Sequence, residues 1–339
     1  MRTYIGVFAI WITFFLSLIS IPVSAASTSL PPQTELWYVT LEMDIQTLLD
    51  QRKTNTYVPA QFSFKDPDGQ LVTWDIKVRA RGRYRRMRCE FPPLKLKFPK
   101  QEMKAAGFGR HNDVKLVTHC EDNKEARENL FREYLTYQLY ARLTNVSLRT
   151  QMIRITYRDS ATGEEMVTYG MFIEDTDALA ERLEAKDCEN CYGVEHDDFD
   201  ASNMRIHDLF QYMIGNTDWS REKYHNMKIF SPVKADGRKL MAPYDFDFSG
   251  LVNAAYAKPN VDLNQTAIRD RIYIGGRWTE TEWTACLQLF RDKREELIDT
   301  VDAFKLIGGR ARRDIREFLT EFYEELETGT LLPKLLPEN

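Results

Sequence analysis

The chain has 339 residues, 43% of them apolar, with 46 Lys and Arg against 51 Asp and Glu. Such a length and apolar fraction suffice for a globular core in one large domain or two small ones. A formal net charge of −5 lacks the basic excess of a nucleic-acid-binding domain, although Lys77 to Lys104 is strongly basic and 186–200 strongly acidic.

Residues 1–25 read as a secretion signal. Arg2 supplies the positive start, Ile5 to Ile21 is uncharged and apolar, Pro22 breaks the run, and Val23-Ser24-Ala25 offers small residues for cleavage after Ala25. A retained anchor is the rival reading, but a run of roughly 17 residues is at the lower limit for a bilayer span. The expected location is periplasmic, cell-envelope or extracellular, with no membrane span after cleavage. Export permits disulfides. Cys188 and Cys191 suggest a local bridge, Cys89 with Cys120 a possible second, and Cys286 is left over.

Residues 26–34 are a polar lead-in. Trp37 to Leu41 starts a strand, and Gln61–Lys65 and Val72–Arg83 flank the turn Asp66-Pro67-Asp68-Gly69 as a hairpin. Leu94, Leu96 and Phe98 alternate with Lys95 and Lys97, a half-buried strand. Val114–Thr118 is a short strand, and Asn123–Leu143 carries apolar residues at helical spacing. Met152–Tyr157 and Val167–Ile173 are strands, and Asp177–Glu184 is helical. Ser202–Ile214 is a helix with Ser202 as N-cap. Lys228–Phe230 and Lys239–Met241 flank the turn Ala235-Asp236-Gly237, and helices fill the chain from Thr279, with Gly308-Gly309 between two of them. The order predicts an α+β fold over 35–335, with a β-rich N-lobe (about 35–173) and a mostly helical C-lobe (about 174–335).

Three clusters carry chemistry. Arg79, Arg81 and Arg83 share a strand face that Lys95 and Lys97 can join, and such cations invite phosphate. A solvated basic face is the plain alternative. Asn216-Thr217-Asp218 leads, eight residues later, to Asn226. An Asp that orients a nucleophile's proton, followed by a metal-binding Asn, recurs in phosphotransfer sites. In Tyr244-Asp245-Phe246-Asp247-Phe248 two carboxylates sit among aromatics that want burial, and a hard cation such as Mg²⁺ would satisfy them. His111, His119 and His207 have no ligand partners at useful spacing and read as structural.

The basic strands, the Asp…Asn loop, a hairpin and Asp-x-Asp follow the general order of protein-kinase-like enzymes, without the GxGxxG, HRD or DFG of ordinary eukaryotic kinases. Arg79-Ala80-Arg81-Gly82 with Pro93-Leu94-Lys95-Leu96-Lys97-Phe98, Asn216-Thr217-Asp218 with Asn226, and Pro243-Tyr244-Asp245-Phe246-Asp247 resemble the spore coat protein H (CotH) kinase family over roughly 75–255. The chain departs from the family at Arg83-Tyr84-Arg85-Arg86, where small polar residues are usual, and at Tyr244, where Trp is commoner. The resemblance implies an atypical two-lobe kinase-like fold and transfer of phosphate from ATP to Ser or Thr of a protein. It makes Asp218 catalytic. Asn226 with Asp245 or Asp247 would hold Mg²⁺, and Arg79, Arg81, Lys95 and Lys97 the phosphates, with Tyr244 offering a stacking face to the base. Glu125, Glu128 and Glu133 are candidates to pair with the phosphate-binding cation. The alternatives are a catalytically inactive envelope or surface binding protein of the same fold, and transfer of a nucleotidyl group.

Overall fold

The computed structural model describes residues 36–337 except 83, 107–108, 189–190, 192 and 235–236. The signal, its cleavage site, the lead-in and the Ala235-Asp236 turn lie outside the described residues.

Strand β1 (Trp37–Met43) is followed by a short helix α1 (Ile45–Asp50) and the hairpin β2 (Val58–Lys65) and β3 (Leu71–Ala80). The five-residue helix α2 (Tyr84–Arg88) precedes β4 (Leu94–Lys97). Then come α3 (Lys100–Ala105), β5 (Asp113–Val117), the long helix α4 (Lys124–Leu143), and the hairpin β6 (Thr150–Asp159) and β7 (Glu165–Ile173). Alternation explains the strands: in β2, and in β3 from Trp74 on, every second residue is buried. The seven strands close into a barrel in the order β1-β2-β3-β4-β5-β7-β6. Closure comes from β1, which pairs antiparallel with β2 and parallel with β6. Leu41, Phe62, Val78, Leu94, Leu96, Leu116, Ile153 and Tyr157 fill the interior.

Beyond the barrel lie α5 (Thr176–Arg182), β8 (Ala185–Asp187), α6 (Ala201–Met213), β9 (Met227–Pro232) and β10 (Leu240–Pro243). The helices α7 (Glu280–Asp292), α8 (Arg294–Ala303), α9 (Gly309–Thr328) and α10 (Leu332–Leu335) end the described chain. β10-β9-β8 form a separate three-stranded sheet. Asp200, rather than Ser202, caps α6, its side chain accepting from the Asn203 N–H. Among the described residues no helix is long and apolar enough to cross a membrane.

This architecture corrects the expected two-lobe kinase-like fold with its β-rich N-lobe and helical C-lobe. The β-rich part is a closed mixed barrel whose last strand, β7, ends at Ile173, and its outer side shares a core with the elements that follow. Leu130, Tyr134, Tyr137 and Leu139 of α4, with Met152 and Met171 of β6 and β7, belong to the same apolar cluster as α6, α7 and α9. The physical reason is the parallel β1–β6 pairing. It unites strands more than a hundred residues apart, which no local periodicity reports.

Both expected disulfides form, Cys89–Cys120 and Cys188–Cys191, and Cys286 is free and buried.

Candidate functional site

The acidic part of the site begins where β10 ends. Phe246 is fully buried, edge-on to Tyr137 (4.7 Å between ring centroids) and Phe210, and its anchoring presents Asp245 and Asp247 to the site on either side. Asp245 adopts a left-handed φ of 64°, and its N–H donates to Tyr137 Oη at 2.9 Å. Between these carboxylates and Glu133 of α4 sits Arg85 of α2. Its Nη2 lies 2.9 Å from Glu133 Oε2, 2.9 Å from Asp247 Oδ2 and 3.3 Å from Asp245 Oδ1, and its Nε donates to Asp247 Oδ2 at 3.1 Å. Tyr256 Oη donates to the same Asp247 oxygen. Burial raises Glu133 to about 7 against the pull of Arg85. Burial and the neighbouring Asp247 raise Asp245 to about 6. The Asp247 side chain is 7% exposed, that of Asp245 47%, so Asp245 is the carboxylate that solvent reaches.

The second part is the loop between α6 and β9. Asn216 Oδ1 accepts from the Asp218 N–H. Asn226 Nδ2 donates to the Asp218 carbonyl (2.7 Å) and to Asp218 Oδ2 (2.9 Å), while His225 Nε2 lies 3.0 Å from Asp218 Oδ1. The Ser220–His225 bridge pinches the loop shut, with Tyr224 and Asn226 both at left-handed φ. Such strain persists only where surrounding contacts enforce it. Here Arg221 Nη1 grips both oxygens of buried Asp208 (3.0 and 2.8 Å), and the Gly276 N–H donates to the same carboxylate. A Cβ on Gly275 would stand 2.6 Å from Asp208 Cβ, so only glycine lets this strap approach. The Tyr244 N–H donates to the Asn226 carbonyl, which ties Asp245 to the Asp218 loop.

The third part is basic. Register places Arg79, Lys95 and Lys115 in one row across β3, β4 and β5. Lys95 is bound to Asp113 Oδ2 (2.7 Å), Arg79 reaches Asn55 at 3.3 Å and lies over Tyr57, and Lys97 is exposed. Gly82, at a φ of 87°, turns the chain after Arg81 into α2. Arg81 faces Asp245, and burial lowers its pKa. Lys115 makes no ion pair among the described residues. Its Nζ donates to Thr176 Oγ1 at 3.0 Å, and burial, then Arg81, lower it to about 8 despite Asp175. Lys228, held by Asp187 at 3.1 Å, and Tyr244 complete this side.

Of the residues expected from sequence, Asp218, Asn226, Asp245, Arg81 and Tyr244 converge. Asp247 is engaged by Arg85, and Arg79, Lys95 and Lys97 are tied up or solvated. Sequence reasoning gave no role to Lys115, Arg85 or His225. Alternation of Val114, Lys115 and Leu116 marks Lys115 as facing away from the barrel core, but only register sets it beside Lys95. Glu133 is the buried member of the three glutamates considered, whereas Glu128 pairs with Arg132.

The donor set suits a hard divalent ion. Asp245 is an open carboxylate with a raised pKa, and Asn226, 6% exposed, spends its amide hydrogens on Asp218. Its Oδ1 has no hydrogen bond among the described residues. Elsewhere, His111, Asp175 and Asp177 bring ligand atoms within 4.8 Å of one another. There His111 already bonds Glu181 at 2.9 Å, and Asp175 caps α5. Compared with known proteins, the chain matches no family model and no curated protein sequence.

Proposed function

We propose that this site transfers the terminal phosphate of ATP to a protein hydroxyl, with Mg²⁺ as the metal. The observation that carries the reading is the meeting of Asp218, Asn226 and Asp245 with two cations, Arg81 and Lys115, the second without an ion pair among the described residues. Its support lies in side-chain geometry and the motif order resembling the CotH kinases, not in the fold.

In this mechanism Arg81 and Lys115 neutralise phosphate oxygens, and the Tyr244 ring offers a face to the base. Asn226 and Asp245 would hold Mg²⁺, which when bound spreads the phosphate charge. Asp218, fixed by Asn226 and His225, orients the acceptor hydroxyl. The acceptor oxygen bonds to the terminal phosphorus as the bridging P–O bond breaks, and Asp218 takes the hydroxyl proton. We also place the protein outside the cytosol, a reading that its two disulfides support.

The test is phosphate transfer from terminally labelled ATP to a Ser/Thr-rich acceptor protein with Mg²⁺. Asp218→Asn should abolish labelling; equal labelling by the variant would remove Asp218 from its role. A second reading, a nucleotide-binding module without catalysis, is favoured by the grip of Arg85 on Asp247. Saturable Mg·ATP binding with no transfer to any acceptor selects it. A nucleotidyl adduct in the mass spectrum would instead indicate cleavage at the other end of the triphosphate.

A further inference from the structure

We propose that Arg85 is a resident cation: it neutralises Asp247 and Glu133, so that the site takes one divalent ion, at Asp245 and Asn226, rather than two. This rests on reading the site as a metal–nucleotide site. The geometry is that of a cation in a carboxylate cage. One guanidinium reaches three carboxylates within 3.3 Å, and Asp247 Oδ2 receives Tyr256 Oη as well. Arg85 thus occupies Asp247 and Glu133, both buried, and leaves Asp245, whose side chain is 47% exposed, as the carboxylate open to an ion from solvent.

Arg85 is also seated to stay. Its helix is followed at once by Cys89, bridged to Cys120. The neighbouring Arg86 side chain donates to the Arg52 and Thr54 carbonyls, and Tyr84 stands edge-on to Phe248. A cavity of about 320 Å³ lies against Arg85, lined also by Glu133, His119, Asn129 and Tyr256. The cavity thus opens onto Arg85 and Glu133, and with Arg85 shortened a metal ion entering it can take the place of the guanidinium.

The test is titration of the full chain with Mn²⁺ alone, counting bound ions by calorimetry and by the loss of the free-Mn²⁺ resonance signal. Wild type should bind one ion, Asp247→Asn should still bind one, and Asp245→Asn should lose at least tenfold in affinity. Arg85→Gln should bind two and gain more thermal stability from Mn²⁺ than wild type does, while Arg85→Lys keeps one. Should Arg85→Gln fold only with Mn²⁺ present, that too supports the ion taking the place of Arg85. Two ions in wild type, no ion in wild type, or loss of the ion in Asp247→Asn would overturn the proposal. The phosphotransfer reading fails separately. No transfer with one ion bound removes that reading and leaves Arg85 as assigned; transfer with two ions bound does the reverse.

Discussion

On the acidic side of the site, Arg85 lies within 3.3 Å of Glu133, Asp247 and Asp245, whereas on the basic side Lys115 bonds, among the described residues, only the Thr176 hydroxyl. Both gather like charges in a part-buried place, which is unfavourable unless compensated. The acidic cluster carries its main counter-ion in the chain. On the basic side Asp113 holds Lys95 and Asp187 holds Lys228, but Lys115 draws on the more distant Asp175, and Arg81 and Lys228 add to the positive charge around it. On the proposed reading, the difference says which component comes from outside: an anion, and for the open carboxylate Asp245 a cation to accompany it.

Four changes test that contrast. Asp218→Asn should lower transfer by at least about 100-fold, within the usual range for a general base. Steady-state rates should show the fall in kcat, with nucleotide affinity little changed. Next, removing the Cys89–Cys120 bridge that follows the Arg85 helix should cost about 3 to 4 kcal/mol by loop entropy, read from urea unfolding. A loss under about 1 kcal/mol would mean that other contacts seat α2.

Lys115→Met should weaken Mg·ATP binding about tenfold or more, the loss of one charged hydrogen bond. It should also change the pH dependence of stability. In the folded chain burial holds Lys115 at about 8, below its ordinary value of 10.5. Between those values the unfolded chain binds the extra proton, so wild-type stability should rise with pH. Below about pH 8 the charged lysine costs about 3 kcal/mol, and the variant should be the more stable there. Urea melts from pH 7 to 10 measure both effects; parallel profiles for wild type and variant would show that Lys115 is already compensated. Lys97→Ala should change nucleotide affinity by less than about twofold, because Lys97 is solvated; a tenfold loss would return the phosphate grip to β4.

The local elements were legible because burial writes its period into the chain. β2 and β4 alternate, α4 repeats its apolar face, and the eight-residue step from Asp218 to Asn226 is visible before any fold is known. Barrel closure was not, since β1 meets β6 through pairing rather than pattern. Arg85 was hidden differently. Tyr84–Arg88 is five residues long with none buried, so it reads as a solvated basic run. Its meaning depends on Glu133 and Asp247, 48 and 162 residues away. Lys95 misled for the converse reason: it lies on the expected face, but Asp113 on the next strand holds it.

The central claim, a site that lacks its own anion and takes a metal–nucleotide, is tested most directly by calorimetric titration of the wild-type chain with Mg·ATP, Mg·ADP and adenosine. The expected result is one saturable site for Mg·ATP, with affinity falling stepwise as phosphates are removed. Equal binding of adenosine and Mg·ATP, or no binding of either, would contradict it.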